Sequence, residues 1–379
     1  MLAAPARPGR RIGPYDPRRG NGPARTTGGC NVSDGRRRRA PNQADVARLA
    51  GVSQSAVSRV VSGNAATARI PEETRQRVFD AVKELGYVAN PAARAMRNKR
   101  NNLLGVHTFE PVFPRAHEDF HFPFLLGIEE RAEETDYDLV LFTATTPGKN
   151  RRPIYRKGTN RLNLADGTVL LGESTDRGEL ARLWYDGYTF IHIGRREVPG
   201  AEIPCVIPDY ESATERLVER LADRGHRRVA YLRALEDSEW FLDRRKGYAH
   251  AVRRLGLTDT SARFTSDPDA LEDWFDELAA GDETAVVVET QWLVGFLEKG
   301  LAARGLRIPE DISVALLEVT PTEGLRYDSL EIPRKQIGRI AVDRLIAMLD
   351  DPDLRSANLL VPCPVVPGDS IGAPSARPA

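Results

Sequence analysis

Cysteine is scarce in this chain. Cys30, Cys205 and Cys363 are the whole supply among 379 residues, and no two are spaced for a metal or redox motif. A disulfide framework is therefore not expected. Long apolar runs are missing as well; none approaches the roughly 20 residues that span a bilayer. The first residues carry Arg and Pro without the apolar stretch of a secretory signal, so the expected location is cytoplasmic, with no membrane. There is no phosphate-binding loop, no pair of metal ligands and no nucleophile elbow. His107, His121, His192 and His226 stand apart from one another along the chain. These absences argue against an enzyme, a cofactor or a metal centre, leaving open only a cluster assembled by folding.

What is present suits a globular protein of two or three units: 41% hydrophobic and 28% charged residues over 379 positions. The net charge of zero hides an asymmetry. Residues 1–100 hold 20 Lys+Arg against 7 Asp+Glu, so the remainder holds 34 (54 less 20) against 47 (54 less 7). One end is thus suited to a polyanion and the other to something else; a basic tail on an acidic enzyme gives the same split. Residues 1–41, rich in Gly, Pro and Arg and including the run Arg36 to Arg39, have no hydrophobic period and read as disordered. They either add phosphate contacts or are an incidental extension.

Order is expected from Asn42. Val46, Leu49 and Ala50 share a helical face that Gly51 ends. Ser53 is a natural cap for a second helix, Gln54 to Val61, with Ala56, Val57 and Val60 or Val61 turned inward. Gln54, Ser55, Ser58 and Arg59 are left outward. A third helix starts at Pro71, carries Val78, Phe79, Val82 and Leu85 as its apolar stripe, and stops at Gly86. Two short helices joined by a Gly-containing turn and buried by a third make a helix-turn-helix.

The run Asp45-Val-Ala-Arg-Leu-Ala-Gly-Val-Ser-Gln-Ser-Ala-Val-Ser-Arg-Val-Val-Ser-Gly63 resembles the DNA-binding signature of the lactose-repressor (LacI/GalR) family. The likeness continues through Ile70-Pro-Glu-Glu-Thr-Arg75 and Glu84-Leu-Gly-Tyr87 to Asn90-Pro-Ala-Ala-Arg-Ala-Met96, which is similar to the family's hinge helix. The resemblance implies a recognition helix in the major groove, with Gln54, Ser55 and Arg59 at base edges and Ser53 capping or touching phosphate. It also implies hinge helices that pair across a dimer and wedge an apolar residue into the minor groove, where this chain has Met96. Asn90, Arg94 and Arg97 belong to that segment, and its arginines neutralise phosphate.

From Asn102 the pattern becomes an alternation of strands and helices. Apolar runs at 103–108, 138–143, 167–171, 189–193, 228–232, 284–288 and 313–317 read as strands of parallel sheets; helices fall at 125–134, 244–255, 293–304 and 336–349. Two α/β halves with a crevice at the strands' carboxyl ends are the home of a small ligand. Gly225-His-Arg-Arg-Val-Ala230, Arg244-Arg-Lys-Gly-Tyr248 and Gly305-Leu-Arg-Ile-Pro-Glu-Asp-Ile-Ser-Val314 resemble the family's effector domain, which is similar to periplasmic sugar-binding proteins. By that resemblance Arg244 contacts the effector. Asp209, Glu289 and Glu318 stand at or near pocket positions but depart from the family's pattern; they serve either as hydroxyl acceptors or as rim and ion-pair residues. Phe120, His121 and Phe122 are first-lobe candidates, with core packing as the alternative.

The expected division is a disordered basic extension at 1–41, an all-α helix-turn-helix domain at 42–89, a hinge helix and linker at 90–101, a two-lobed α/β ligand-binding and dimerisation domain with parallel sheets at 102–371, and a tail at 372–379. The expected function is a homodimeric transcription regulator, a repressor, on a pseudo-palindromic double-stranded DNA operator, gated by a small molecule that the resemblance makes a sugar. No heptad tail follows Leu349, so nothing suggests assembly beyond a dimer. A transporter-associated binding protein and an α/β enzyme are the competing classes; residues 42–100 oppose the first and the missing catalytic motifs the second.

Overall fold

The computed structural model describes residues 41–61, 70–87, 100–109, 120–144, 152–172, 175–235, 237–263, 269–318, 324–356 and 358–375. The chain divides into two compact units, residues 1–89 and 90–379.

In the first unit, α1 (Gln43–Ala50), α2 (Gln54–Val61) and α3 (Glu72–Leu85) enclose a small core. A reciprocal cap starts α1: the Asn42 side chain accepts from the Ala44 and Asp45 amides while Asp45 accepts from the Asn42 amide at 3.0 Å. Gly51 and Gly86 end α1 and α3 at φ 65° and 59°, a left-handed conformation that a side chain would strain. Val46, Ala47, Ala50, Val57, Val60, Val78 and Ala81 form the core. Two expectations are corrected. Leu49 and Phe79 are exposed, because helices this short approach closely only through small side chains, and Ala47 and Ala81 hold the contacts instead. Pro71 caps α3 from outside rather than opening it.

The second unit begins with β1 (Leu103–Thr108), α4 (Phe122–Glu134) and β2 (Asp138–Phe142), then a small hairpin of β3 (Tyr155–Arg156) and β4 (Thr159–Asn160). It continues with β5 (Gly167–Leu171), α5 (Arg177–Tyr185), β6 (Phe190–Ile193), β7 (Cys205–Asp209), α6 (Tyr210–Asp223), β8 (Arg228–Arg233) and α7 (Glu239–Leu255). Then come β9 (Thr258–Arg263), α8 (Asp269–Ala280), β10 (Ala285–Val288), α9 (Gln291–Ala303), β11 (Ser313–Leu316), β12 (Asp328–Leu330), α10 (Arg334–Asp350), β13 (Leu359–Pro362) and β14 (Val365–Val366). One sheet has the order β13-β7-β6-β5-β1-β2, all parallel; the other runs β14-β12-β11-β10-β8-β9, parallel except for the β12–β14 pair. Near-continuous burial of β5, β6, β10 and β11 fits strands covered on both faces.

The chain passes between the two lobes three times: from β7 to α6, from β12 to α10, and from β13 to β14. The second passage returns α10 to the first lobe, where it packs on α4. At Gly127 a Cβ would overlap the Lys335 carbonyl, and at Gly338 one would overlap the Phe124 carbonyl, so two glycines set this backbone-to-backbone approach. Gly372 is still held to the second lobe, through Ser313 Oγ at 3.0 Å and His226, although the tail was expected to start there. No helix among the described residues is long and apolar enough to cross a membrane.

Gly127→Ala is expected to destabilise the protein by about 1–3 kcal/mol through overpacking against backbone, read as a lower urea midpoint at unchanged m-value. An unchanged midpoint would show that the α4–α10 contact relaxes without cost.

Candidate functional site

Gln54, Ser55 and Arg59 lie exposed on α2, and Ser58 is half-buried beside them. Val57 and Val60, fully enclosed, hold the opposite face of the helix. Ser53 starts it: its Oγ accepts from the Ala56 amide at 3.2 Å and lies 2.9 Å from Ser55 Oγ. Arg59 Nε donates to the Ser55 carbonyl at 3.2 Å, folding the guanidinium stem along the helix. The result is a polar, cationic edge on a short rigid helix, of the size that a major groove admits. Asn90, Arg94, Met96 and Arg97 lie outside the described residues.

In the larger unit, a cavity of about 60 Å³ opens at the carboxyl ends of β5, β6 and β7. Its first-lobe wall is Phe120, His121, Phe124, Leu171, Gly172, Ile193, Gly194, Arg196 and Pro208; Tyr210 and Trp240 close it from α6 and α7. Tyr210 is buried in the first-lobe core with Trp240 packed against the same cluster, so α6 and α7 reach across the crevice. Burial pushes the Tyr210 hydroxyl well above its ordinary pKa and keeps it a neutral phenol.

A seam of ion pairs runs beside this cavity. Arg195 grips Asp243 at two points, Nε to Oδ2 at 3.0 Å and Nη2 to Oδ1 at 2.6 Å, and also donates to the Glu239 carbonyl at 3.1 Å. Arg177 Nη2 meets Glu239 Oε1 at 2.8 Å, the Glu197 amide donates to the same oxygen at 3.3 Å, and Arg196 Nη1 is 3.6 Å from Glu239 Oε2. Each arginine comes from the first lobe and each carboxylate from α7 in the second. Paired arginine–carboxylate forks of this kind are the stronger class of charged contact. None of these residues was singled out from sequence.

Arg244 sits within α7, five residues past its start, and is completely enclosed. Nη1 donates to the Glu289 carbonyl at 2.9 Å; Nε and Nη2 have no hydrogen-bond partner. Its guanidinium lies 4.6 Å from the Tyr210 ring centre and 4.8 Å from that of Trp240. The other nominated residues fall elsewhere. The buried Glu289 carboxylate accepts from Tyr231 at 2.8 Å, from the Ala234 amide at 2.7 Å and from Arg245 Nε at 2.9 Å, so it braces the second lobe from inside. Asp209 caps α6 through the Ser212 amide at 3.1 Å, and Glu318 caps α9 through the Gln291 amide at 2.7 Å. Phe122 is corrected: it opens α4 and turns to the groove between α4 and β2, while Phe120, His121 and Phe124 face the cleft. A helix presents neighbouring positions to different sides, which sequence alone leaves unphased here.

Folding brings His107 and His192 onto either side of Phe109, with ring centres 4.9 and 6.2 Å from it. Burial lowers both, His107 to about 4. His226 bonds Thr284 at 2.7 Å. Among the described residues, Glu211, Glu215 and His250 place ligand atoms within 4.8 Å of one another on the outer faces of α6 and α7, where His250 already bonds Glu215 at 2.7 Å.

Comparison with known proteins agrees with both halves. Residues 44–90 match the family described as bacterial regulatory proteins, lacI family, and residues 218–371 match the periplasmic binding protein-like domain. Over 332 residues the chain is 28% identical to the HTH-type transcriptional regulator CelR of Thermobifida fusca, covering 83% of this chain and 95% of that one. It is 26% identical to catabolite control protein A of Priestia megaterium, covering 84% and 95%. Among solved structures it shares the fold of a lac repressor dimer bound to operator and the anti-inducer ONPF, with TM-score 0.63, 22% identity and 88% and 100% coverage. A CelR–cellobiose complex aligns with TM-score 0.56, 23% identity and 87% and 99% coverage. With the recognition helix and the two-lobed domain in place, this chain belongs to the lacI family of DNA-binding transcriptional regulators.

Proposed function

We propose that this regulator is a homodimeric repressor that binds a pseudo-palindromic operator and is gated by a small carbohydrate in the interlobe cleft. The exposed row of Gln54, Ser55 and Arg59 carries the reading. Glutamine fits the adenine edge and arginine the guanine edge of the major groove, each through two hydrogen bonds. Ser53 and Ser58 sit where a phosphate contact fixes register. Asn90, Arg94, Met96 and Arg97 enter through the family resemblance, as the hinge segment at the minor groove. The proposed division keeps the segments 42–89, 90–101 and 102–371, preceded by a basic extension and followed by a short tail.

Two copies meet, in this reading, on the first lobe. Phe122, Leu125, Leu126, Leu139 and Leu141 line a groove between α4 and β2, and β2 is an edge strand with Leu141 exposed. An apolar face beside an open edge is a natural seat for a second chain. Dimers place two recognition helices about one helical turn apart. The lac repressor relative was solved as a dimer on operator, and CelR with cellobiose, which supports both the dimer and the sugar. The relatives are regulators rather than enzymes, and the cleft contributes a gate rather than a reaction. Gating requires a ligand that prefers one lobe arrangement; the arginine seam to Glu239 and Asp243 is the element whose making and breaking accompanies that change.

Selection of bound sequences from random duplex DNA is expected to return a palindrome of about 14–20 base pairs with half-sites roughly one helical turn apart. No enriched sequence would reject the reading. On the selected site, Arg59→Ala should cost about 1–3 kcal/mol and relax preference at one base pair. An equal loss on every sequence would reduce Arg59 to a phosphate contact. Asp243→Ala removes the two-point grip of Arg195 and should raise the radius of gyration in small-angle scattering. An unchanged profile would show that other contacts hold the lobes together.

A further inference from the structure

We propose that the carbohydrate recognised by this cleft is an acid: a sugar ring carrying a carboxylate or phosphate that pairs with Arg244. The inference rests on the gated-regulator reading above and names its ligand class. Arg244 is wholly enclosed, and two of its three guanidinium nitrogens lack a hydrogen-bond partner. No carboxylate of a described residue forms an ion pair with it; its partners are one backbone carbonyl and the faces of Tyr210 and Trp240. A buried charge without a counter-ion is costly, and ring faces offset only part of that cost. Its neighbour shows the ordinary solution: Arg245, next in sequence, pairs with Glu289 and Asp237.

The carboxylates near the cleft are all committed. Glu239 and Asp243 hold the arginine seam, Glu289 holds Arg245 and Tyr231, and Asp209 and Glu318 cap α6 and α9. The cavity wall contains no carboxylate among the described residues, whereas Arg196 lines it and Arg334 lies 5.1 Å over the ring of the wall residue Phe120. A neutral sugar offers hydroxyls that donate as well as accept, and its donors find no acidic acceptor here. A carboxylate or phosphate only accepts, and a guanidinium edge matches it with two parallel bonds. Tyr210 and Trp240 touch both the guanidinium and the cavity, so rotation of either ring exposes the cation to a ligand whose apolar face then stacks on the other.

The test uses the full chain with glucuronate, glucose 6-phosphate and glucose, and with sulfate against chloride at equal ionic strength. Thermal midpoint and operator affinity are both read. One or both acids, and sulfate over chloride, should raise the midpoint; glucose should not. In Arg244→Met the acid's binding should fall by about tenfold or more, as for loss of a hydrogen bond to a charged group. Unliganded Arg244→Met should be at least as stable as the native protein, whereas Arg245→Met, which strands the Glu289 carboxylate, should lose stability. Glucose binding as tightly as the acids overturns the proposal. So does Arg244→Met losing as much stability as Arg245→Met with no anion-specific shift in the native protein. If acids bind through Arg244 without changing operator affinity, the acid site stands and the gated-regulator reading falls. If glucose alone releases operator, the gate stands and the acid site falls.

Discussion

The larger unit depends on the way one helix, α7, faces both lobes. Residues three and four apart share a helical face, so Trp240, Asp243, Arg244 and Gly247 line up toward the crevice and toward α6. Gly247 lets α7 lie against the backbone of α6 at Glu211. That close fit fixes the height at which Asp243 meets Arg195 and Arg244 meets Tyr210. Glu239, in the first turn, adds the contacts to Arg177 and Arg196. A bulkier neighbour at the helix crossing would displace all of these contacts together, because packed helices shift as rigid bodies and not atom by atom.

The three passages between lobes make this helix consequential. They leave the lobes joined by extended chain at Asp209, at 331–333 and at 363–364, where neither sheet is continuous with the other. Side chains therefore decide how the lobes meet. On the first-lobe side the decisive groups are cations, and on the second-lobe side they are carboxylates and aromatic rings. Charged forks of this kind are strong when water is excluded and weak when it enters. A seam made of them favours two distinct arrangements over a continuum, which is what a gate requires.

The DNA-binding unit follows a different logic. Its seven core residues are small or β-branched, and its caps at Asn42, Ser53, Gly51 and Gly86 are local. Nothing in it depends on a partner more than about a helix away in the chain. The recognition row is consequently readable from spacing alone: burying Val57 and Val60 forces Gln54, Ser55 and Arg59 outward. Spacing erred only by one position on α1 and α3, where Leu49 and Phe79 gave way to Ala47 and Ala81.

Periodicity and an ungapped motif determined the helix-turn-helix, its outward residues, the two parallel sheets and the importance of Arg244. Short strands such as β12 and β14 carry too few residues for a pattern and appear only when their sheet is assembled. Tertiary structure alone decided what the polar residues of the cleft do. Glu289 meets Arg245 across 44 residues and Tyr231 across 58, Asp243 meets Arg195 across 48, and Glu239 meets Arg177 across 62. A carboxylate accepts from whichever donor the fold delivers, and the chain order carries no record of which one arrives. Phe122 and Phe124 differ by two positions, yet one faces the outer groove and the other the cleft, because α4 is phased by its packing on α10 and not by its composition.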